Sequence, residues 1–169
     1  MERMGSRDLT VHHVDLIYSA ALESFWRKKA LRKFLRGCGI SAKFLATWHG
    51  DETKREFLDR LFERLDDADR GPAILRQMGR ELAAQTTFPD LQSWEDTDEK
   101  VARAVAAVNA LRAYQSDESE RLKQEAQKAE ARERFHKQRE QAARSQHSLQ
   151  RLRERLDALR IACPAFFGV

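Results

Sequence analysis

Histidine and cysteine are the residues of this chain that most readily do chemistry, as metal ligands, bases or nucleophiles. His12 and His13 are adjacent, so a helix would direct them to different sides, and His49 falls in a predicted turn. His136 and His147 stand far apart in a highly charged stretch. No two histidines are four residues apart, the spacing that a helical zinc site needs. We interpret all five as ordinary surface or partly buried side chains.

The other signatures of catalysis are missing from the sequence as well. Cys38 and Cys163 are far apart and have no metal-ligand spacing. There is no glycine-rich phosphate loop, no Gly-x-Ser-x-Gly and no Cys-His arrangement near a base. Acidic pairs such as Asp66 with Asp67 lie at predicted helix ends, where carboxylates already have capping roles. We therefore predict no catalytic, cofactor-binding or metal-binding residue, and a protein that is not an enzyme.

Composition indicates an all-α protein. Charged residues make up 34 % of the chain, and seven glycines with three prolines offer few turns for a β-rich fold. The net charge of +4 combines basic residues 1–50 and 101–169 with an acidic middle, a layout that suits charge pairing between segments. No apolar run resembles a signal peptide or a membrane span. We expect a soluble, cytoplasmic protein with no membrane partner.

One long helix is the dominant predicted element. From Asp96 to about Arg160 the chain contains neither proline nor glycine, and Asp96 with Glu99 forms an Asp-x-x-Glu variant of the capping box. At 1.5 Å per residue this helix is roughly 95 Å long, so we expect part of it to project or to find a partner. Three sections follow from its apolar residues: 96–112 packed on the rest of the chain, 113–148 solvated, and 149–160 a leucine seam.

The packed section is predicted from an apolar stripe at steps of three and four residues, formed by Val101, Val105, Val108 and Leu111. Between residues 115 and 148 the only sizeable apolar side chains are Leu122 and Phe135. A strict 3-4-3 spacing, typical of a coiled coil, then connects Leu149, Leu152, Leu156 and Leu159. These four leucines are our predicted partner-binding residues.

Residues 1–95 are predicted to form a small helical bundle. A helix from about Leu9 to Arg36 has a drifting apolar face, which indicates either crossed partners or a bend near Arg27. Later helices begin after Ser41, after Asp51 and at Gly71 with Pro72. The predicted organisation is thus a bundle over 1–95, a long, projecting, partly coiled-coil helix over 96–161 and a short tail over 162–169.

Basic side chains gather on one side of the second half of the first helix: Lys28, Lys29, Arg32, Lys33 and Arg36. They are either a solvated face or a stripe that binds the phosphates of a nucleic acid. The sequence leaves both interpretations open.

Two runs of residues resemble a known family. FLATWHGDETKREFLDRLFERL, Phe44 to Leu65, followed by FPDLQSWED, Phe88 to Asp96, resembles the N-terminal helical region of bacterial restriction-endonuclease-like proteins, where a PD-(D/E)XK nuclease domain follows a long charged helix. The sequence departs from this pattern where the nuclease would begin, with IACPAFFGV over 161–169. No catalytic residue is carried over. The resemblance implies a bacterial restriction or defence setting and a module that positions or assembles a nuclease supplied elsewhere.

These observations favour a non-enzymatic helical interaction module. Its distal leucines would mediate self-association or docking of a protein partner, so an oligomer is one expected outcome. The alternative is a nucleic-acid-binding accessory protein that uses basic helix faces.

Overall fold

The structure is a computed structural model that describes residues 9–92 and 96–162. Within those ranges the chain forms six helices and no strand, so the predicted all-α class is confirmed. The helices are α1 Val11–Ser24, α2 Lys28–Gly37, α3 Ala42–Ala46, α4 Lys54–Asp66, α5 Gly71–Ala84 and α6 Thr97–Ala162. The chain divides into two compact units, residues 1–118 and 119–169. Most of the predicted tail, residues 163–169, lies outside the described residues.

The first predicted helix is two helices with a break at residues 25–27. Asp90 lies in the loop after α5, and its Oδ2 accepts hydrogen bonds from the backbone N–H groups of Trp26 and Arg27, each at 2.7 Å. A carboxylate in this position satisfies the exposed donors at the start of α2. Of the two alternatives, crossed partners or a bend near Arg27, the structure has a complete interruption of the helix at that point, held by a side chain sixty-three residues away.

Local signals explain the next helix ends. Gly39 adopts a φ of 96°, a left-handed conformation that glycine reaches without strain, and the Ser41 side chain accepts the N–H of Phe44 to cap α3. The predicted cap of α4 at Asp51 is wrong, because Thr53 and Glu56 form the capping box there. The hydrogen bond from the Thr53 backbone lowers the pKa of Glu56.

The core of the first unit lies where α1, α4 and α5 pack on one another, with α2 packed on α3. Its largest fully buried side chains are Phe57, Ile17, Leu31, Leu35, Leu58, Leu61, Met78, Leu82, Leu91 and Leu111. Gly79 permits a close approach between helices, since a Cβ there would lie 3.0 Å from Gln115 Nε2 and 3.2 Å from Ile17 Cδ1.

The first turns of α6 complete this core. Ala104, Val108 and Leu111 are at most 1 % exposed, whereas Val105 is 40 % exposed, so its assignment to the packed face is wrong. The buried row runs through the small residue Ala104 at 3-4-3 steps, and a search for large apolar residues alone misses it. Arg112 then donates from its guanidinium to the backbone carbonyls of Ala83 and Gln85 at the end of α5.

The described part of the second unit, residues 119–162, belongs to α6. Apart from the partly buried Leu122, its side chains are exposed. Ion pairs one turn apart run along it, including Lys137 with Glu133 at 2.7 Å and Arg134 with Glu130 at 3.6 Å. None of the helices in the described ranges has the length and apolar character needed to cross a membrane.

Candidate functional site

The four seam leucines lie in the second unit and are the largest apolar group that its described residues expose. Leu149, Leu152, Leu156 and Leu159 are 59 %, 55 %, 56 % and 54 % exposed. With Arg155, Ala158 and Ala162, the last three of them line a shallow groove. Twelve helical residues span roughly 16 to 18 Å, about two heptads.

This leucine seam can contribute only the burial of apolar surface. Leucine has no hydrogen-bonding group, and removing one fully from water stabilises a complex by about 1.5–3 kcal/mol. Since each of the four is roughly half exposed, a covering helix would gain about half of that per leucine, plus the burial of its own side chains. The arrangement is suited to binding another helix.

The five basic residues of α2 do not act as one group. Lys28 Nζ donates to the carbonyl of Gly50 at 2.8 Å, and Arg32 Nη2 donates to that of Trp48 at 2.8 Å. Arg32 also stacks over the Trp48 ring, 5.1 Å from its centroid. Both cations therefore satisfy carbonyls just beyond the end of α3, where a positive charge is favourable.

The other three, Lys29, Lys33 and Arg36, are exposed. They follow one another at steps of four and three residues and so share one face of α2. Of the five basic residues that the sequence predicts as a possible phosphate-binding stripe, these three are the exposed ones.

Lys54 provides another cation at a helix end, one that the sequence analysis missed. Its Nζ donates to the carbonyls of Leu22 and Phe25 at the end of α1. Burial lowers the pKa of Lys54, while Glu23 and Asp90 oppose that shift. Nothing in the local sequence signals this contact, because the partners are about thirty residues apart.

His13 is the buried histidine of the first unit, with 6 % of its surface exposed. Its Nδ1 lies 3.9 Å from Glu118 Oε2, its Nε2 lies 3.5 Å from Gln115 Nε2, and its ring is 4.9 Å from that of Tyr114. Burial lowers the pKa of His13, Glu118 raises it, and Arg76 and His12 lower it further. In the described part of the chain, no three His, Cys, Asp or Glu residues are grouped as a metal site.

A cavity at the ends of α1, α2 and α5 was also absent from the predicted sites. Phe25, Phe34 and Phe88 form its walls, and Cys38 lies beside them. Burial raises the pKa of the Cys38 thiol to about 12, with a further contribution from Glu81. A neutral thiol is a poor nucleophile and metal ligand. Cys38 is therefore not a reactive group in this cavity.

Comparison with known proteins returns no match: no family model matches the chain, nor does any curated protein or solved structure.

Proposed function

We propose that this chain is a non-enzymatic interaction and assembly module, and that another protein helix docks along Leu149, Leu152, Leu156 and Leu159. The observation that carries the proposal is the exposure of these leucines, 54–59 % each, at coiled-coil spacing. The docked helix belongs either to a partner protein or to a second copy of the chain.

The packing of the first unit supports this proposal. Its core is formed by residues from α1 to α5 and the first turns of α6, and none of the seam leucines belongs to it. Helix propensity does not explain four leucines on a solvated helix, because alanine has a higher propensity than leucine, and arginine, lysine and glutamate have a similar one. A docking role explains why leucine stands at these four positions.

A neutral designed peptide tests the proposal. The peptide carries leucine at its seam positions and glutamine at the flanking positions, so that only apolar burial drives binding. We expect the full chain to bind it, as measured by fluorescence anisotropy, or to self-associate in sedimentation. The double change Leu152→Glu with Leu156→Glu should remove both properties, whereas the charge-matched control Ala143→Glu with Gln150→Glu, at exposed positions outside the seam, should keep them. A monomer that binds no seam peptide would end the proposal.

The restriction or defence setting is part of the proposal and rests on the resemblance of residues 44–65 and 88–96. Several residues in these runs are core residues, among them Trp48 stacked on Phe57 at 4.2 Å between centroids and the buried Leu91. The likeness therefore concerns packing. A nuclease encoded beside this protein should bind it and lose DNA cleavage in the cell when Leu152 and Leu156 are replaced. Full cleavage with the double variant would argue against this setting.

Nucleic-acid binding is the second candidate, favoured by the shared exposed face of Lys29, Lys33 and Arg36. Binding through phosphates must weaken steeply as salt rises. We expect the triple change to glutamine at these positions to abolish any retardation of DNA at low salt. DNA that is not retarded by the unaltered chain would exclude this candidate.

A further inference from the structure

The residues beside the seam leucines carry a charge pattern that selects among partners. In heptad positions, Leu149 and Leu156 are a, and Leu152 and Leu159 are d. The positions that flank a coiled-coil seam, e and g, then contain Arg153 and Arg160 at e, and Ser148, Arg155 and Ala162 at g. No acidic residue occupies either flank of this section.

The acidic residues of the same section lie on the opposite side of the helix. Glu154 falls at f and Asp157 at b, both outer positions of a heptad. Glu154 also accepts a hydrogen bond from Gln150 Nε2 at 3.3 Å, which holds it on that outer face. In the described residues, Arg153 and Arg155 are exposed and form neither an ion pair nor a side-chain hydrogen bond, so these two arginines beside the leucines have no compensating carboxylate.

A second copy of the chain is a poor occupant for this surface. In a parallel pair, each g position faces the next e position of the partner, which sets Arg155 against Arg160. In an antiparallel pair, e faces e and g faces g, which again brings arginines together. Like charges across an interface suppress the wrong partner, so the flanks oppose the self-association that the leucines favour.

The stripe is also too narrow for a membrane surface. A helix that lies in a bilayer interface buries a broad apolar face, whereas an a and d row is the narrower seam of a coiled coil. Nucleic acid would be attracted by the arginines but would leave the leucines in water. A partner helix with its own apolar row can cover the leucines, and it also complements the flanking arginines only if its own flanking positions are acidic.

We propose that the leucine seam binds a helix of a different protein, one with leucine-like residues along its seam and glutamate or aspartate at its flanking positions. This inference rests on the proposed function, because it specifies the partner of the same surface. Arg153 and Arg155 would pair with the acidic flanks and set both partner choice and helix orientation.

Three designed peptides with identical leucine seams test the inference. Their flanking positions carry glutamate, glutamine or lysine, and binding to the full chain is measured by anisotropy. We expect the glutamate peptide to bind about tenfold more tightly than the glutamine peptide and the lysine peptide to bind weakest, because complementary charges select the partner. Added salt should reduce this difference.

Charge reversal in the chain provides the matched control. Arg153→Glu with Arg155→Glu should invert the order, so that the lysine peptide binds best. Arg144→Glu with Arg151→Glu, the same charge change at outer c positions, should preserve the original order.

The outcomes separate this inference from the proposed function. Equal binding of all three peptides, or a seam-dependent homo-oligomer of the unaltered chain, would overturn the acidic-partner inference and leave helix docking intact. Binding to anionic phospholipid vesicles in place of all three peptides would overturn both.

Discussion

Two stretches of α6 share one spacing and have opposite surroundings. Val101, Ala104, Val108 and Leu111 follow one another at 3-4-3 steps, and the last three are at most 1 % exposed. Leu149, Leu152, Leu156 and Leu159 have the same steps and are 54–59 % exposed. The periodicity specifies a face of the helix but not what covers it.

The side chains of the two stretches differ in a way that fits their surroundings. Three of the four residues in the buried stretch are valine or alanine, and a Cβ at nearby Gly79 would be tightly packed, 3.0 Å from Gln115 Nε2 and 3.2 Å from Ile17 Cδ1. The exposed stretch uses four leucines, which gain most when a separate helix covers them. Arginines follow the same division, because Arg112 donates to carbonyls of its own unit while Arg153 and Arg155 flank the seam.

The largest expected contrast comes from one substitution made in each stretch. Leu111→Ala should lower the free energy of unfolding by about 2–5 kcal/mol, because it opens a cavity in a filled core. Leu156→Ala should change it by less than about 0.5 kcal/mol, as a surface substitution does. Urea unfolding followed by tryptophan fluorescence measures both, since all three tryptophans precede residue 95. Equal losses would break the contrast and show that the seam is covered by its own chain.

Removing one guanidinium beside each stretch should give a smaller difference in the free energy of unfolding. Arg112→Met keeps much of the apolar stem but removes the donors to the Ala83 and Gln85 carbonyls, which should cost about 1.5–3 kcal/mol of stability. Arg153→Met should cost less than about 0.5 kcal/mol. The same urea titration applies, and an Arg112 variant as stable as the unaltered protein would contradict the proposed role of this contact.

Acid should destabilise the first unit through His13. Burial lowers its pKa in the folded state, so below about pH 6.5, the ordinary histidine value, the unfolded chain binds a proton more readily. Stability then falls as the pH decreases from 7.5 to about 5.5. Stability curves at several pH values should be flatter for His13→Gln than for the exposed control His136→Gln. An unchanged slope in His13→Gln would assign the acid sensitivity to other groups.

The smallest expected effect concerns the ion pairs of residues 119–162. Lys137 Nζ lies 2.7 Å from Glu133 Oε1. Glu140, four residues before Arg144, instead has its Oε1 3.3 Å from His136 Nδ1. Lys137→Gln should therefore cost about 0.2–0.5 kcal/mol of helix stability at low salt, and Arg144→Gln should cost less. Circular dichroism of the two variants compares them, and the reverse order would favour the Glu140–Arg144 pair.

Elements with local signals could be predicted from the sequence. The break at Gly39, the cap at Ser41 and the start of α5 at Gly71 and Pro72 each depend on residues next to them. The contacts that were missed join residues distant in sequence: Asp90 with the start of α2, Lys54 with the end of α1, and Arg112 with the end of α5. In each case a charged side chain contacts backbone groups at the end of another helix. In the sequence alone, such a side chain cannot be distinguished from an ordinary charged surface residue.

The predicted sites differ in the same way. The exposure of the seam leucines agrees with their lack of a neighbouring apolar stripe, a property that the sequence displays. The basic face of α2 looks uniform in the sequence, yet Lys28 and Arg32 contact the carbonyls after α3, because the position of α3 depends on the whole core.

The hydrogen bond between Thr10 and Tyr114 has a consequence for synthesis of the chain. It joins residues 104 positions apart, and α1 is made long before the turns of α6 that complete its core. At about 5–20 residues per second, roughly 5–20 s separate the synthesis of these two residues. For most of that time the core of the first unit lacks Ala104, Val108 and Leu111, which are at most 1 % exposed in the folded protein, so the nascent chain exposes apolar surface that the folded protein buries.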